Sequence, residues 1–215
     1  MRAIGKGPEP HSLTTHRLTP HCAYANFADK DRLRAALFAE QYGLCCYCTG
    51  QIYEDPTLMK IEHWRCQSSH PGEQLDYQNL LGACMGGQGQ PEDRQHCDTS
   101  KGDRDLRWNP ANPTHNIEQR IRYEADGTIR SDDLEFDAQL CDVLNLNMTT
   151  LKNHRKGVFS AMTEWLKSEK ARLQGPVPRA RLEREREKRV AGDLRGRPFG
   201  RVAVWFLDQR LSRVG

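Results

Sequence analysis

The stretch Lys60-Ile61-Glu62-His63-Trp64 sets a carboxylate and an imidazole side by side at the end of a short apolar run. Cysteines flank it on both sides: Cys45 and Cys48 form a Cys-x-x-Cys before it, and Cys84 and Cys97 follow it. Asn79 and the run His96-Cys97-Asp98-x-x-Lys101-Gly102 complete the set. Residues 59–64 read as a strand, whose period of two puts Ile61 and His63 on one face and Glu62 and Trp64 on the other. Residues 77–84 read as a second strand pairing with the first, and residues 97–103 suit a short helix on which Asp98 and Lys101 fall about one turn apart. The central region is therefore expected to run strand, strand, helix.

In Leu44-Cys45-Cys46-Tyr47-Cys48-Thr49-Gly50 two thiolates are separated by a tight turn ending in Gly, the form of a zinc knuckle. Cys84 and Cys97 can complete a closed, tetrahedral, structural Zn²⁺ site. Their separation is longer than that of a standard knuckle, and His96 is an alternative to either. A set of buried free thiols is the competing reading. The spacing of the eight cysteines is not that of a small secreted scaffold, and a reducing compartment favours thiolates on metal over disulfides. Cys22, Cys46, Cys66 and Cys141 lie outside any paired spacing and read as ordinary thiols.

Alone, Glu62-His63 reads as an unremarkable pair. Asp98 changes that, because the same zinc would tie its helix against the strand bearing Glu62. Two carboxylates with waters are hard oxygen ligands that suit Mg²⁺ or Mn²⁺ better than Zn²⁺. A neutral His63 beside them can take a proton from water, and the chemistry this serves is metal-assisted phosphodiester hydrolysis. Asn79 is placed to brace the loop between the strands, against the simpler role of a turn residue. Lys101 is expected to face substrate phosphate, against the simpler role of a solvated lysine.

Outward from this centre the chain is less explicit. Residues 1–28 are rich in Gly, Pro, His and Thr and read as an extended arm lying on a partner or on the domain itself, with a disordered tail as the alternative. His11, His16 and His21 read as exposed polar residues. Asp29 or Asp31 can cap a helix carrying Leu33, Ala36, Leu37 and Phe38, which Gly43 stops. Gln51-Ile52-Tyr53 reads as the return of a short hairpin. Residues 104–114, punctuated by Trp and Pro, read as an irregular wrap over the site. Asp126-Gly127 marks a hairpin turn. Leu151, Val158, Met162, Trp165, Leu166 and Leu173 recur at helical separations and read as a long core helix. Residues 179–190 carry six basic and three acidic side chains on a helix, read as a solvated face with i,i+4 ion pairs rather than a phosphate-contacting one. The run 202–207 is too apolar to be exposed and is expected to dock as a strand or helix.

A chain of 215 residues holds one good core with a small lobe at most. With 37% hydrophobic and 28% charged residues and a mean hydropathy of -0.81, it is polar. No apolar run approaches the ~18 residues that span a bilayer, and the first residues lack an apolar leader core, so no membrane association and a cytoplasmic location are expected. A net charge of +3 permits nucleic-acid binding without indicating it.

Taken together, Cys-x-x-Cys, Glu-His, Asn-Leu and Cys-Asp-x-x-Lys-Gly resemble the HNH nuclease motif. The resemblance implies His63 as base, Asn79 as the middle, bracing residue, and Glu62 and Asp98 at the metal positions. Asp98 stands where many members carry His or Asn. The similarity extends to Met1-Arg2-x-Ile4-x-Lys6-Gly7-x-x-Pro10-x-x-Leu13, Ile61-Glu62-His63-Trp64, Tyr77-x-Asn79-Leu80 and Pro198-Phe199, which look like the PtuB-like HNH subunits of Septu-type and some retron anti-phage systems. That family implies a DNA substrate and an ABC-type, PtuA-like ATPase partner. The expected fold is α+β: a mainly helical protein around a ββα-metal HNH core with an interleaved zinc ribbon. The divisions expected are an arm over 1–28, a nuclease core over 29–115 and a mainly helical region over 116–215. Two other readings share the residues: a zinc-ribbon binding module without catalysis, and an HNH-like nuclease acting on RNA.

Overall fold

A computed structural model describes residues 1–213. It is an α+β fold in which helices predominate and the strands form two small antiparallel pairs. β1 (Met59–His63) pairs with β2 (Leu80–Cys84) in a register that sets Glu62 opposite Leu81 and His63 opposite Leu80. The second strand starts later than its apolar pattern implies, because Tyr77–Asn79 forms a 3₁₀ turn in which the Asp76 carboxylate accepts from the Gln78 amide.

Helix α1 (His11–Arg17) lies within the first 28 residues, which are neither extended throughout nor detached. Met1, Ile4, Leu13 and Phe27 are buried, and the Ile4 amide donates to the Pro110 carbonyl at 2.9 Å. The apolar side chains are too widely spaced to show a period, yet each is seated in the main core. Among the three histidines, His11 and His21 are exposed, while His16 is half-buried and contacts the Ala23 carbonyl and Asn26.

Helix α2 (Lys30–Glu40) buries Leu33 and Leu37 against β1 and β2. Asp29 occupies its N-cap position without a capping hydrogen bond; its carboxylate lies 3.7 Å from Arg32 instead. Gln41 then joins the helix to the sheet. Its side chain donates to the carbonyls of Leu44 and Gly82 and accepts from the Gly82 amide. The expected return strand near residue 51 is reduced to a single bridge between Leu44 and Gln51.

Helix α3 (Cys97–Lys101) packs on β2 and follows a loop that doubles back through Gly86. Gly86 has φ +55°, and a Cβ there would sit 2.1 Å from the His96 carbonyl oxygen, so only glycine fits. Beyond it, β3 (Arg122–Tyr123) and β4 (Ile129–Arg130) form the hairpin turning at Asp126-Gly127. The 3₁₀ segment Ile117–Arg120 takes the place of a longer strand.

After the short α4 (Leu134–Ala138), α5 (Thr149–Leu173) spans 25 residues. It is core along only part of its length: Leu151 and Met162 are buried, whereas Leu173 is exposed. α6 (Arg179–Asp193) and α7 (Gly200–Leu211) pack against each other, and α7 seals a second apolar cluster with Val177, Leu182, Ala203, Phe206 and Leu207. The charges of α6 are largely satisfied within the fold: Arg181 pairs with Glu169, Arg186 with Asp208 and Arg189 with Glu185. α7 also reaches the sheet region, because the Phe199 amide at its start donates to the Thr49 carbonyl. Among the described residues, no helix is long and apolar enough to cross a membrane.

Candidate functional site

The four predicted cysteines come together from three elements. Cys45 and Cys48 lie in the turn after α2, Cys84 ends β2, and Cys97 begins α3. The turn is closed by backbone bonds from Cys45 to the Gly50 carbonyl and from Thr49 to the Cys45 carbonyl, and the Gly50 amide points at Cys48 Sγ from 3.3 Å. All four sulfurs lie within 4.8 Å of one another, with Cys48 and Cys84 3.9 Å apart. A disulfide needs a sulfur separation near ~2.05 Å. Ligands at about 2.3 Å around a tetrahedral zinc stand about 3.8 Å apart, so this geometry fits a structural Zn²⁺.

The electrostatics of the cluster also call for a cation. Burial raises the Cys45 thiol, but hydrogen bonds from Cys46, Cys48, Cys84 and Cys97 pull it well below its ordinary value. Cys84 is pushed up by its hydrogen bond to Cys45, and Cys97 by burial. Among these crowded sulfurs Cys45 is the thiol favoured to ionise. His96, the alternative ligand, instead places Nδ1 3.2 Å from Cys97 Sγ and 3.9 Å from Cys84 Sγ, at the rim of the cluster. All eight cysteines are free of disulfides; Cys46 and Cys66 are buried, Cys22 is half-buried and Cys141 is exposed.

Beside this cluster, Lys60 and Glu62 lie two residues apart on β1 and therefore share a face. Both meet Asp98, the second residue of α3. Lys60 Nζ is 3.0 Å from Asp98 Oδ2 and donates to Thr99 Oγ1 at 2.8 Å. The Glu62 and Asp98 carboxyls lie close enough to interact directly. Burial and the neighbouring Asp98 push the Glu62 carboxyl well above its ordinary range. Burial also raises Asp98, yet the hydrogen bond from Glu62 and the Lys60 charge leave it lowered. Two such carboxyls are the kind of donor that could hold a hard divalent cation of the Mg²⁺ or Mn²⁺ type, but each already faces an ammonium group, Lys60 at Asp98 and Lys101 at Glu62.

Glu62 has two further partners that its sequence neighbours do not announce. Tyr47, wholly buried, donates from its hydroxyl to Glu62 Oε1 at 2.7 Å. Lys101 Nζ is 3.0 Å from the same oxygen and 3.1 Å from the His63 carbonyl. Lys101 is 1% exposed. It therefore faces inward to the carboxylate rather than outward to a phosphate, a correction to the expectation for that residue. The reason is electrostatic: an acid one strand away offers the ammonium a partner that the outer face of α3 lacks.

His63 projects to the opposite side of β1, where the loop after the strand and the N-terminal segment cover it. Its Nε2 contacts the Gln74 carbonyl at 2.9 Å, and its Nδ1 lies 3.3 Å from the Gln67 side-chain amide. A carbonyl only accepts, so Nε2 carries the proton and the lone pair resides on Nδ1. Burial lowers the His63 pKa and favours this neutral form. The Tyr24 ring stands edge-on to the imidazole at 4.5 Å, and the Tyr24 amide donates to the Gln74 side chain.

Asn79, buried, spans the same loop. Its Oδ1 accepts from the Arg65 amide at 2.7 Å, and its Nδ2 donates to the carbonyls of Arg65 and Glu73. The structure thus brings Glu62 and Asp98 together beside the cysteine cluster, with His63 held on the neighbouring loop by backbone and amide groups. Sequence reading missed Tyr47, Lys60, Tyr24 and Gln74; only Tyr47, set between two predicted ligands, carried any positional signal. Compared with known proteins, the chain matches no family model and no curated protein.

Proposed function

We propose that this chain is a metal-dependent HNH-type DNA endonuclease, PtuB-like, which acts in anti-phage defence in the cytoplasm alongside an ABC-type, PtuA-like ATPase. The observation that supports the catalytic part is that β1, β2 and α3 bring the Glu62 and Asp98 carboxyls together, with the next residue of β1, His63, held neutral and oriented on the strand's other face. The defence role, the DNA preference and the ATPase rest on the resemblance of the motifs.

In this reading Glu62 and Asp98 would hold Mg²⁺ or Mn²⁺, which would supply charge stabilisation for the phosphodiester under attack. His63 takes the proton of the attacking water on Nδ1, displacing the long contact from the Gln67 amide. The Gln74 carbonyl fixes the tautomer, and it becomes a better partner once the ring is charged. Asn79 keeps the loop that carries Gln67 and Gln74 in register with the strand. The cysteine cluster, with Zn²⁺ bound, clamps α3 to the sheet and so sets the spacing of the two carboxylates.

One observation favours the non-catalytic zinc-ribbon module: each carboxylate already faces an ammonium group, Lys60 at Asp98 and Lys101 at Glu62, as in a structural ion-pair network. Plasmid cleavage separates the two. Zinc-loaded wild-type protein, with the ATPase present, is expected to nick or cut in Mg²⁺ or Mn²⁺ but not in chelator, and His63→Ala with full zinc is expected to be inactive. Cleavage retained by His63→Ala removes His63 as the base. Absence of cleavage by both supports the binding module, and preferential cutting of an RNA competitor assigns the site to RNA.

A further inference from the structure

We propose that the slot where the end of α5 meets α6 and α7 docks an acidic, leucine-bearing segment of a partner protein; this stands whether or not the chain cuts nucleic acid. The last turns of α5 leave an apolar face uncovered. Leu166, Lys170 and Leu173 fall at i, i+4 and i+7 and so share one side of the helix. Leu166 packs on the second apolar cluster, while Leu173, at the final position of α5, is 38% exposed. Next to Leu166, the residues Pro176, Val177 and Leu182 line a slot of about 200 Å³. Val177 and Leu182 belong to the same buried cluster, so the floor of the slot is packed core rather than loose loop.

Lys170, Arg210 and Arg213 stand around this floor. Among the described residues none of the three has an acidic partner, although their neighbours are paired: Lys167 with Glu164, Arg172 and Arg181 with Glu169, and Arg186 with Asp208. The Arg210 guanidinium lies over the Phe206 ring, 4.9 Å from its centroid, which holds it in place beside the slot. Three cations without counter-charges around an aliphatic floor complement a segment that presents carboxylates and an aliphatic side chain together. The size of the slot selects a protein. Small-molecule pockets run to roughly 300–1,000 Å³, and a slot below that range takes one side chain of a larger partner. Its aliphatic floor gives a nucleic-acid base no aromatic face on which to stack.

The test uses the full-length chain and a fluorescein-labelled helical peptide of glutamates and leucines, read by fluorescence anisotropy. Comparison probes are the same peptide with serine for leucine, the same peptide with lysine for glutamate, a labelled DNA duplex, and vesicles containing phosphatidylserine. Wild type is expected to bind the peptide of glutamates and leucines, less tightly as salt is raised, and to bind neither altered peptide. Combining Lys170→Glu with Arg213→Glu, both at exposed positions, is expected to weaken binding about tenfold. Leu173→Ser is expected to weaken it about threefold. Arg184→Glu, the same charge change at an exposed position of α6 outside the slot, is expected to leave it unaltered. Wild-type affinity in the doubly reversed variant overturns the proposal, and so does failure of wild type to bind the peptide. Thermal denaturation checks the fold of each variant. Leu173→Ser removes no charge and decides the matter if the charge reversals unfold the chain, wild-type affinity in it again overturning the proposal. Binding of the duplex or the vesicles through Lys170 and Arg213, without binding of the peptide, overturns it too and assigns these cations to nucleic acid or to a lipid surface.

Discussion

Lys101 and Glu62 form an ion pair at 3.0 Å in which the side chains are only 1% and 3% exposed. Lys101→Met strands Glu62 without its cation, and the loss expected for breaking such a pair is about 3–5 kcal/mol. Urea denaturation of the zinc-loaded variant checks it. Adding Glu62→Gln to Lys101→Met is expected to recover part of the loss, because no buried charge is then left unpaired.

Zinc content tests the cysteine cluster directly. Wild type is expected to carry one Zn²⁺ per chain by elemental analysis, and alanine at Cys45, Cys48, Cys84 or Cys97 is expected to lower that and the melting temperature together. Cys141→Ser, at an exposed thiol outside the cluster, is expected to leave both unchanged. Chelation is expected to destabilise the fold strongly, since metal binding by four thiolates adds directly to folding free energy.

Gly86→Ala forces a side chain into a left-handed conformation and onto the His96 carbonyl. Strain of this kind costs about 1–3 kcal/mol before the clash is counted. The loop that returns Cys97 to Cys84 is expected to open, so that zinc affinity falls along with stability. A competition titration with a chromogenic chelator measures the first and thermal denaturation the second.

Asn79→Ala removes one acceptor and two donations that bridge Arg65 and Glu73. Leaving those partly buried backbone groups without partners is expected to cost about 1–3 kcal/mol. Amide exchange, followed by mass spectrometry, is expected to speed up over residues 65–78 while the β1 and β2 amides keep most of their protection.

Glu169 ties α5 to α6, and hydrogen bonds from Arg181 and then Arg172 lower its carboxyl from 4.5 to about 2. A carboxylate depressed in the folded state adds stability that is fully present above its unfolded value and is lost as pH falls through the folded one. The destabilisation caused by Glu169→Gln is therefore expected to be full at pH 7 and to shrink below about pH 4.5. It is also expected to weaken in high salt, because the pair is at the surface. Urea midpoints for both proteins across that pH range provide the comparison.

Local pattern was enough to place β1, most of β2 and α3, since apolar alternation, a Gly-bounded knuckle and an acid at the start of a short helix are features of neighbouring residues. The paired carboxylates follow from that order once a strand and a helix are joined at a common cysteine cluster. The N-terminal segment was far less legible. Met1, Ile4, Leu13 and Phe27 are all buried, but too few apolar residues separate them to announce a helix or a strand, and their burial depends on surfaces supplied by distant parts of the chain.

By itself, the sequence determined which four cysteines could cluster, Cys45, Cys48, Cys84 and Cys97, and where Glu62, His63, Asn79 and Asp98 fall between and beside them. Only the tertiary structure decided which way the polar side chains point. Lys101 turns inward because Glu62 lies across from it, Lys60 neutralises Asp98 from the adjacent element, and Tyr47 reaches from one turn into the next strand. These choices are set by pairings between groups far apart in the chain. A buried charge goes where its counter-charge is, and that location exists only after the strands, the helix and the cysteine turn have packed together.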